Sequence, residues 1–470
     1  MSDALSFVFD SLLNAEPPNR STTLFETACV LGGSIAGLLA ARVLSEYAHR
    51  VVIVERDELD ASATPRRGAP QGSQIHALLP AGQRWLERWL PGFTGNAVHK
   101  GAVISGTDTS IHAYDGNARA RTRRGYDLVC ATRPLLESCV RSRVLALPNV
   151  SVLCASATDL RYRDAAVDGV RFAEGSSVDG LLEVDFVVDA MGRSSRVSQW
   201  VGSAGFERPR LERLAFPINY ATALFERKAA PDDLDIRCLL DAFSRGNSVD
   251  GVDTAALAAI EDDQWIVSLA GYEPNRPGGT MAEFRAGCGK LRPIFKEIVN
   301  GRSTGDVVTY RQAESRRRHF AGLRHFPARL VSVGDAVASF NPIYGQGMSS
   351  AALHASCLSF HLTSAVGFDT AATDFFRLQN VIVDAAWNMS TGADRARLDI
   401  QNGVETSGKT STQQWVQDQL LRASLVDESI AELCNDVMYM LRHPSVLADP
   451  AVIERAVAVN EQASGTPLAR

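Results

Sequence analysis

The 470 residues contain no C-x-x-C pair, no histidine at metal-ligand spacing, no internal repeat and no low-complexity tract. These absences exclude a zinc module, a thioredoxin-type redox pair and a repeat array. The eight cysteines (Cys29, Cys130, Cys139, Cys154, Cys238, Cys288, Cys357 and Cys434) are scattered, and the expectation is buried thiols in a reducing cytoplasm. Basic charge is also short: 48 Lys and Arg against 54 Asp and Glu give a net charge of -6, so no face for nucleic acid is expected. The run Arg316-Arg317-Arg318 reads as a solvated face. The apolar stretch Leu5 to Leu13 is too short to span a bilayer and follows no basic segment, so neither stable membrane insertion nor secretion is expected. A composition of 45% hydrophobic and 22% charged residues argues for a buried core under a polar surface.

At roughly 100–200 residues per domain the chain is too long for one ordinary core. Residues 1–24 end in the breaker cluster Pro17-Pro18-Asn19-Arg20-Ser21 and are expected to form an arm or a short surface helix. Thr27-Ala28-Cys29-Val30-Leu31 is an apolar run of strand length, followed by glycines and then Ile35, Leu38, Leu39, Val43, Leu44 and Tyr47 at helical spacing. Val51-Val52-Ile53-Val54 completes a strand–helix–strand unit of the parallel, doubly buried kind. Arg133-Pro134 opens a helix, with proline where its missing N–H costs nothing. Further strands are predicted at Val150–Leu153, Leu160–Tyr162, Gly169–Phe172 and Phe186–Ala190. Residues 206–304 differ, with amphipathic strands at Phe216–Phe225, Cys238–Phe243 and Trp265–Ala270 and a helix near Met281–Val299, the pattern of an antiparallel sheet roofing a pocket. Leu330-Val331-Ser332-Val333 returns to a buried strand and leads into a small-residue helix from Ser349. After 367 the chain reads as helical, with Trp415, Leu421, Ile430, Leu433, Val437 and Leu441 on one face of Thr412–Arg442.

Gly32-Gly33-Ser34-Ile35-Ala36-Gly37 is a dinucleotide fingerprint with serine in place of its second glycine. Such a turn brings backbone N–H groups at a helix N-terminus up to a pyrophosphate. Glu55 ends the next strand about 20 residues on, where a carboxylate takes both ribose hydroxyls and repels a ribose phosphate. The resident nucleotide is then FAD or NAD rather than NADP. The bland alternatives are a glycine turn with no ligand and a strand-end acid paired with Arg56; the strand–turn–helix context favours the functional reading, with Arg56 beside Glu55 as a further candidate.

Two more segments select the cofactor. Val333-Gly334-Asp335-Ala336 runs through Phe340-Asn341-Pro342-Ile343-Tyr344-Gly345-Gln346-Gly347-Met348 into a helix, and Asp189-Ala190-Met191-Gly192-Arg193-Ser194-Ser195-Arg196 follows another buried strand. In order, these resemble the signatures of the single-component FAD-dependent monooxygenases related to p-hydroxybenzoate hydroxylase. Pro65-Arg66-Arg67-Gly68-Ala69-Pro70-Gln71 with His76-Ala77-Leu78-Leu79 resembles a branch that includes polyether-type epoxidases. The resemblance spans about residues 27 to 360. It implies that Asp335 binds the ribityl chain, that the helix after Gly345, Gly347 and Met348 faces the flavin's pyrimidine edge, that Pro342 shapes the wall where oxygen reacts, that Arg133 reaches the ribityl and phosphate region, and that Arg66 lies beside the flavin. With Gly32, Gly33, Ser34, Ile35 and Gly37 at the diphosphate, these form the cofactor-binding set. His76 reads as a hydrogen-bonded structural histidine, with a proton shuttle as the alternative.

The implied fold is α/β: a discontinuous Rossmann-like FAD-binding domain (25–105, 126–205 and 305–366), an inserted antiparallel-sheet substrate domain (106–125 and 206–304), an arm (1–24) and a helical C-terminal region (367–470). The implied activity is oxygenation, by hydroxylation or epoxidation, of a bulky apolar or aromatic small molecule or a peptidyl substrate in a biosynthetic pathway. NADH or NADPH is the reductant and a flavin hydroperoxide the oxygen donor; the cofactor carries this chemistry, so no metal and no nucleophilic residue are needed. The chain has no second complete dinucleotide fingerprint, which fits a donor that visits briefly or a flavin reductase partner. The rivals are a halogenase, whose W-x-W-x-I-P signature Trp85 and Trp89 do not match in spacing, a flavin reductase of isoprenoid double bonds, and a flavin-carrying protein without catalysis.

Overall fold

Strands buried on both faces and strands buried unequally form two separate sheets. The computed structural model describes residues 2–19, 21–60, 62–66, 68, 70–174, 178–227, 235–244, 247–364, 367–401 and 408–464. Five short strands run parallel in the order Leu330–Ser332, Phe186–Asp189, Phe25–Leu31, Ala48–Glu55 and Val150–Cys154. Their centres, such as Val30, Ile53, Val187 and Val331, have no exposed surface, as expected of a parallel sheet covered on both sides. The helix Ile35–Leu44 is itself apolar nearly all round, because it lies between this sheet and the helix Gly347–Ser364. The fold is therefore mixed α/β, and its parallel sheet gathers strands from well-separated stretches of chain.

The second sheet has eight strands in the order Ala338–Ser339, Val308–His319, Arg210–Glu226, Gln264–Tyr272, Thr254–Ile260, Cys238–Ala242, Ser110–Tyr114 and Asn117–Ala118. It departs from the sequence expectation in three ways. Val308–His319 and Ala338–Ser339 extend it beyond residue 304. Cys238–Ala242 pairs with Ser110–Tyr114 in parallel, because the latter enters from a distant part of the chain rather than by a hairpin. Thr254–Ile260 was not anticipated, since Thr-Ala-Ala-Leu-Ala-Ala-Ile carries no polar alternation and is rich in a helix-favouring residue; pairing on both edges overrides that preference. One face of this sheet packs Phe225, Leu257, Val267 and Leu269 against Phe284 and Phe295 of two short helices, Met281–Cys288 and Pro293–Val299. These replace the single helix expected there, the break falling at Gly289 and Pro293.

The helical region comprises Thr373–Gln401, Gly408–Ala423, Glu428–Met438 and Pro450–Ser464. The expected continuous face from Thr412 to Arg442 is broken by an Asp427 N-cap, and Trp415 stands 48% exposed. The N-terminal helix Ser2–Leu13 is docked and not merely laid on the surface, since Phe9, Leu12 and Leu13 join the main core. Six cysteines are buried as expected, but Cys154 is exposed, on the edge strand of the parallel sheet, and Cys434 is half-buried.

Candidate active site

The strand Phe25–Leu31 ends at Gly32, whose φ of +105° and closeness to the Ala190 carbonyl, 2.6 Å from any added Cβ, leave no room for a side chain. Gly37 packs directly on the Gly32 carbonyl, bringing the helix close to the strand end. Ser34 sits in the N-cap position but gives no capping hydrogen bond, so the first-turn N–H groups of Ile35–Leu44 keep their positive end uncapped by a side chain. Gly33 N–H donates to Glu55 Oε2 at 2.7 Å and Asp57 N–H to Glu55 Oε1 at 3.0 Å. A carboxylate has about four acceptor positions, so Glu55 retains capacity for two hydroxyls.

The second turn meets the first. Gly334 has φ +60°, and a Cβ there would lie 2.6 Å from Ala36 Cβ. Its N–H donates to His354 Nδ1 at 2.9 Å, and burial holds that imidazole neutral by lowering it to about 3. Asp335 is pushed up by burial, with Arg133 and Arg193 acting against that push. The third segment joins through Asp189, which accepts from Ser195 Oγ at 2.6 Å, Ser332 Oγ at 3.2 Å and Met191 N–H at 3.1 Å. Asp189 thus staples two turns together, and burial is the main force raising it.

All three turns open on one cavity of about 1470 Å³. That exceeds the usual 300–1,000 Å³ of a single-ligand pocket, and suits a cofactor plus a substrate. Of the residues expected from sequence, Gly32, Ser34, Ile35, Glu55, Arg56, Arg133, Asp335, Pro342, Gly345, Gly347 and Met348 line it. Gly33, Gly37 and Arg66 do not. The two glycines act through backbone geometry, while Arg66 is buried behind the first turn, ion-paired with Glu137 and Asp57, 3.8 Å from Glu55, and donating to Ser34 Oγ at 3.0 Å. Arg67 lies outside the described residues.

A buried polar atom of the lining is left for a ligand such as FAD to satisfy. Arg133 Nε is buried without a hydrogen-bond partner, its nearest carboxylate, on Glu137, standing 3.8 Å away. An unpaired guanidinium N–H on a cavity wall suits a polar or anionic ligand. Beside it, the cavity-lining His76 is lowered to about 4 by burial and by Arg133, and its Nδ1 lies 2.8 Å from the Gln74 carbonyl, so it is neutral at physiological pH. The stacked pair Trp85 and Trp89 is fully buried and belongs to the core.

Beyond the turns, the cavity runs along the open face of the eight-stranded sheet, over Thr254, Ala256, Ser268 and Ala270. The C-terminal helices add Arg397, Gln414, Gln417 and Leu421 to its wall. His112, lowered to about 3 by burial and Arg119, pairs through Nε2 with the Tyr439 hydroxyl at 2.9 Å. Sequence reasoning placed an antiparallel sheet over a pocket here but singled out neither these small sheet residues nor the helical contributors. The small sheet residues carry no polar signal, and the helical contributors look like any amphipathic surface. Among the described residues there is no cluster able to hold a metal, and no helix is long and apolar enough to cross a membrane.

No family model matches the chain. It is 32% identical over 342 residues to Protein Rv3254 of Mycobacterium tuberculosis, covering 70% of this chain and 71% of that protein. It is 28% identical over 357 residues to kynurenine 3-monooxygenase of Salinispora arenicola, covering 69% and 70%. Among solved structures, the flavin-dependent brominase Bmp2 superposes with a TM-score of 0.59 at 13% identity, covering 93% of this chain and 99% of that one. The p-nitrophenol 4-monooxygenase PnpA of Pseudomonas putida gives 0.58 at 17% identity, covering 94% and 98%. At these identities the structural matches speak for the fold. The chain belongs to the family of Protein Rv3254.

Proposed function

We propose that this protein binds FAD in a discontinuous Rossmann-like domain and uses it, with NADH or NADPH and O2, to insert one oxygen atom into a bulky apolar or aromatic small molecule. The observation that carries the reading is the meeting of two turns some 300 residues apart in sequence, Gly334 against Ala36, on the rim of one cavity. FAD, when bound and reduced, supplies the activation of O2 and the oxygen transfer. The chain's own residues supply the rest. The uncapped helix end at Ser34 and Ile35 takes the diphosphate, Glu55 the ribose, and Asp335 with Arg133 the ribityl region. The second helix N-terminus, at Gly347, would favour negative charge on the reduced ring. The small face of the long sheet holds the substrate, and the C-terminal helices cover it and exclude water.

Hydroxylation and epoxidation both suit this arrangement, and the Arg66 loop's likeness to polyether-type epoxidases supports the latter. A flavin reductase partner and a peptidyl substrate belong to the same proposal. The test is to purify the protein, look for flavin absorbance, and follow NADH and NADPH oxidation with a panel of phenols and alkenes. Oxygenated product is the expected result. Failure to bind FAD would overturn the reading, and bromide-dependent product would move it to halogenation.

A further inference from the structure

The cavity wall beside the second turn holds a polar cluster that none of the sequence motifs accounts for. Its centre is Asp394, fully buried on the helix Thr373–Gln401. Asp394 Oδ1 accepts from the Tyr272 hydroxyl at 3.0 Å and from Asn341 Nδ2 at 3.0 Å, and Asn341 Nδ2 is also 2.9 Å from the Tyr272 hydroxyl. Asn341 immediately precedes Pro342. Its Oδ1 accepts from Ile343 N–H at 3.2 Å and from the Tyr220 hydroxyl at 3.4 Å. One amide therefore ties the backbone of the Pro342–Tyr344 turn to a carboxylate on a different element.

Asp394 Oδ2 is buried without a hydrogen-bond partner. Leaving a carboxylate oxygen bare inside a protein is costly, so this acid is held beside the turn at the expense of stability. Arg397, one turn along, does not cap it: its guanidinium lies 4.4 Å over the Tyr272 ring and pairs with Asp253 at 3.0 Å. The other groups facing Asp394 are the phenols of Tyr220, Tyr272 and Tyr344, each pushed up mainly by burial and further by the Asp394 charge. Burial also raises Asp394 itself, to about 6, against hydrogen bonds from Asn341 and Tyr272 and the Arg397 charge.

We propose, building on the monooxygenase reading, that Asp394 is a positioning residue: through Asn341 it holds the Pro342–Tyr344 turn against the cofactor, and through Tyr272 it fixes the phenol beside that turn. The C-terminal helical region would then set the shape of the oxygenation site as well as cover it. No proton need leave the cluster for this role; what matters is an acceptor at Oδ1, strongest when the carboxylate is ionised.

The test compares the wild type with Asp394→Asn, Asp394→Ala and Tyr272→Phe, each loaded with FAD. One readout needs no turnover: the visible absorbance of bound FAD from pH 5 to 8. The wild type is expected to change with a midpoint near pH 6, and Asp394→Asn to lose that midpoint. The second readout is product formed per nicotinamide oxidised, expected to fall at least about fivefold in Asp394→Ala, because a slightly misplaced wall lets reductant be consumed without transfer. FAD affinity should stay within about twofold of wild type in both Asp394 variants. If Asp394→Ala does not fold, Tyr272→Phe carries the test, with a shifted midpoint and a lowered product ratio. Wild-type midpoint and wild-type ratio in every variant that folds would overturn this proposal alone. A wild-type protein that binds no FAD would overturn the monooxygenase reading and this proposal with it.

Discussion

The two faces of the eight-stranded sheet are made by alternate residues of the same strands, and one is closed where the other is hollow. Along Thr254–Ile260, Ala255, Leu257 and Ala259 face the helices Met281–Cys288 and Pro293–Val299, while Thr254 and Ala256 face the cavity. Along Gln264–Tyr272, Val267 and Leu269 point into the packed side, and Ser268, Ala270 and Tyr272 into the open one. At the centre of these strands the packed side carries Leu257, Val267 and Leu269, and the open side carries Ala256, Ser268 and Ala270. This half of the cavity owes its room to small residues on the open face, Ala256, Ser268 and Ala270, while the other face is filled to ordinary core density.

That contrast predicts a separation of effects. The largest is expected on the closed face, where Phe225→Ala should cost about 3–5 kcal/mol of stability by leaving a cavity among Phe284 and its neighbours. Chemical denaturation would register it, and FAD affinity of the folded fraction should not move. If affinity moved as much as stability, the two faces would not be independent. Next is the buried carboxyl at the edge of the open face. Because Asp394 is raised from 3.8 to about 6 in the folded protein, the stability it contributes is full below 3.8 and is lost as pH rises through 6. Asp394→Asn should remove that loss, so its stability relative to wild type should rise between pH 4 and 7.5 by on the order of 3 kcal/mol, measured on the apoprotein. Flat behaviour would mean that the carboxyl is not buried as described.

A smaller effect of the opposite kind is expected at the chain neighbour of a packed residue. Ala256→Phe fills the hollow and should lower turnover of a bulky substrate at least about tenfold, near 1.4 kcal/mol, with a much smaller effect on Tm than Phe225→Ala. On the closed side again, Thr280 and Glu283 form a capping box on Met281–Cys288, and Thr280→Ala should cost about 1 kcal/mol without changing activity. The exposed Arg276, paired with Glu273, should matter least, within about 0.5 kcal/mol on substitution to alanine.

The same contrast explains what was legible in the sequence. Gly32, Glu55, Gly334 and Asp335 could be picked out because a dinucleotide fingerprint and its family signatures call for particular residue types at particular spacings, and the structure brings all four to one cavity. The parallel strands were legible for a similar reason, being continuous apolar runs of the right length. Thr254–Ile260 was not, because a string of alanines says nothing of the edges it pairs with. Asp394 and Arg397 were not, because a helix that turns an acid inward has the same composition as one that turns it to water. Arg66 was located as a site residue by resemblance; the structure puts it one layer back, against Glu137 and Asp57, where it braces the first turn.

The most direct measurement is an equilibrium titration of FAD into the apoprotein, done in parallel for wild type, Glu55→Ala and Asp335→Ala. One flavin site shared by both turns predicts a stoichiometry of one FAD per chain and an affinity lowered at least about tenfold by either substitution. Wild-type affinity in either variant, or wild-type protein that takes up no FAD, would contradict it.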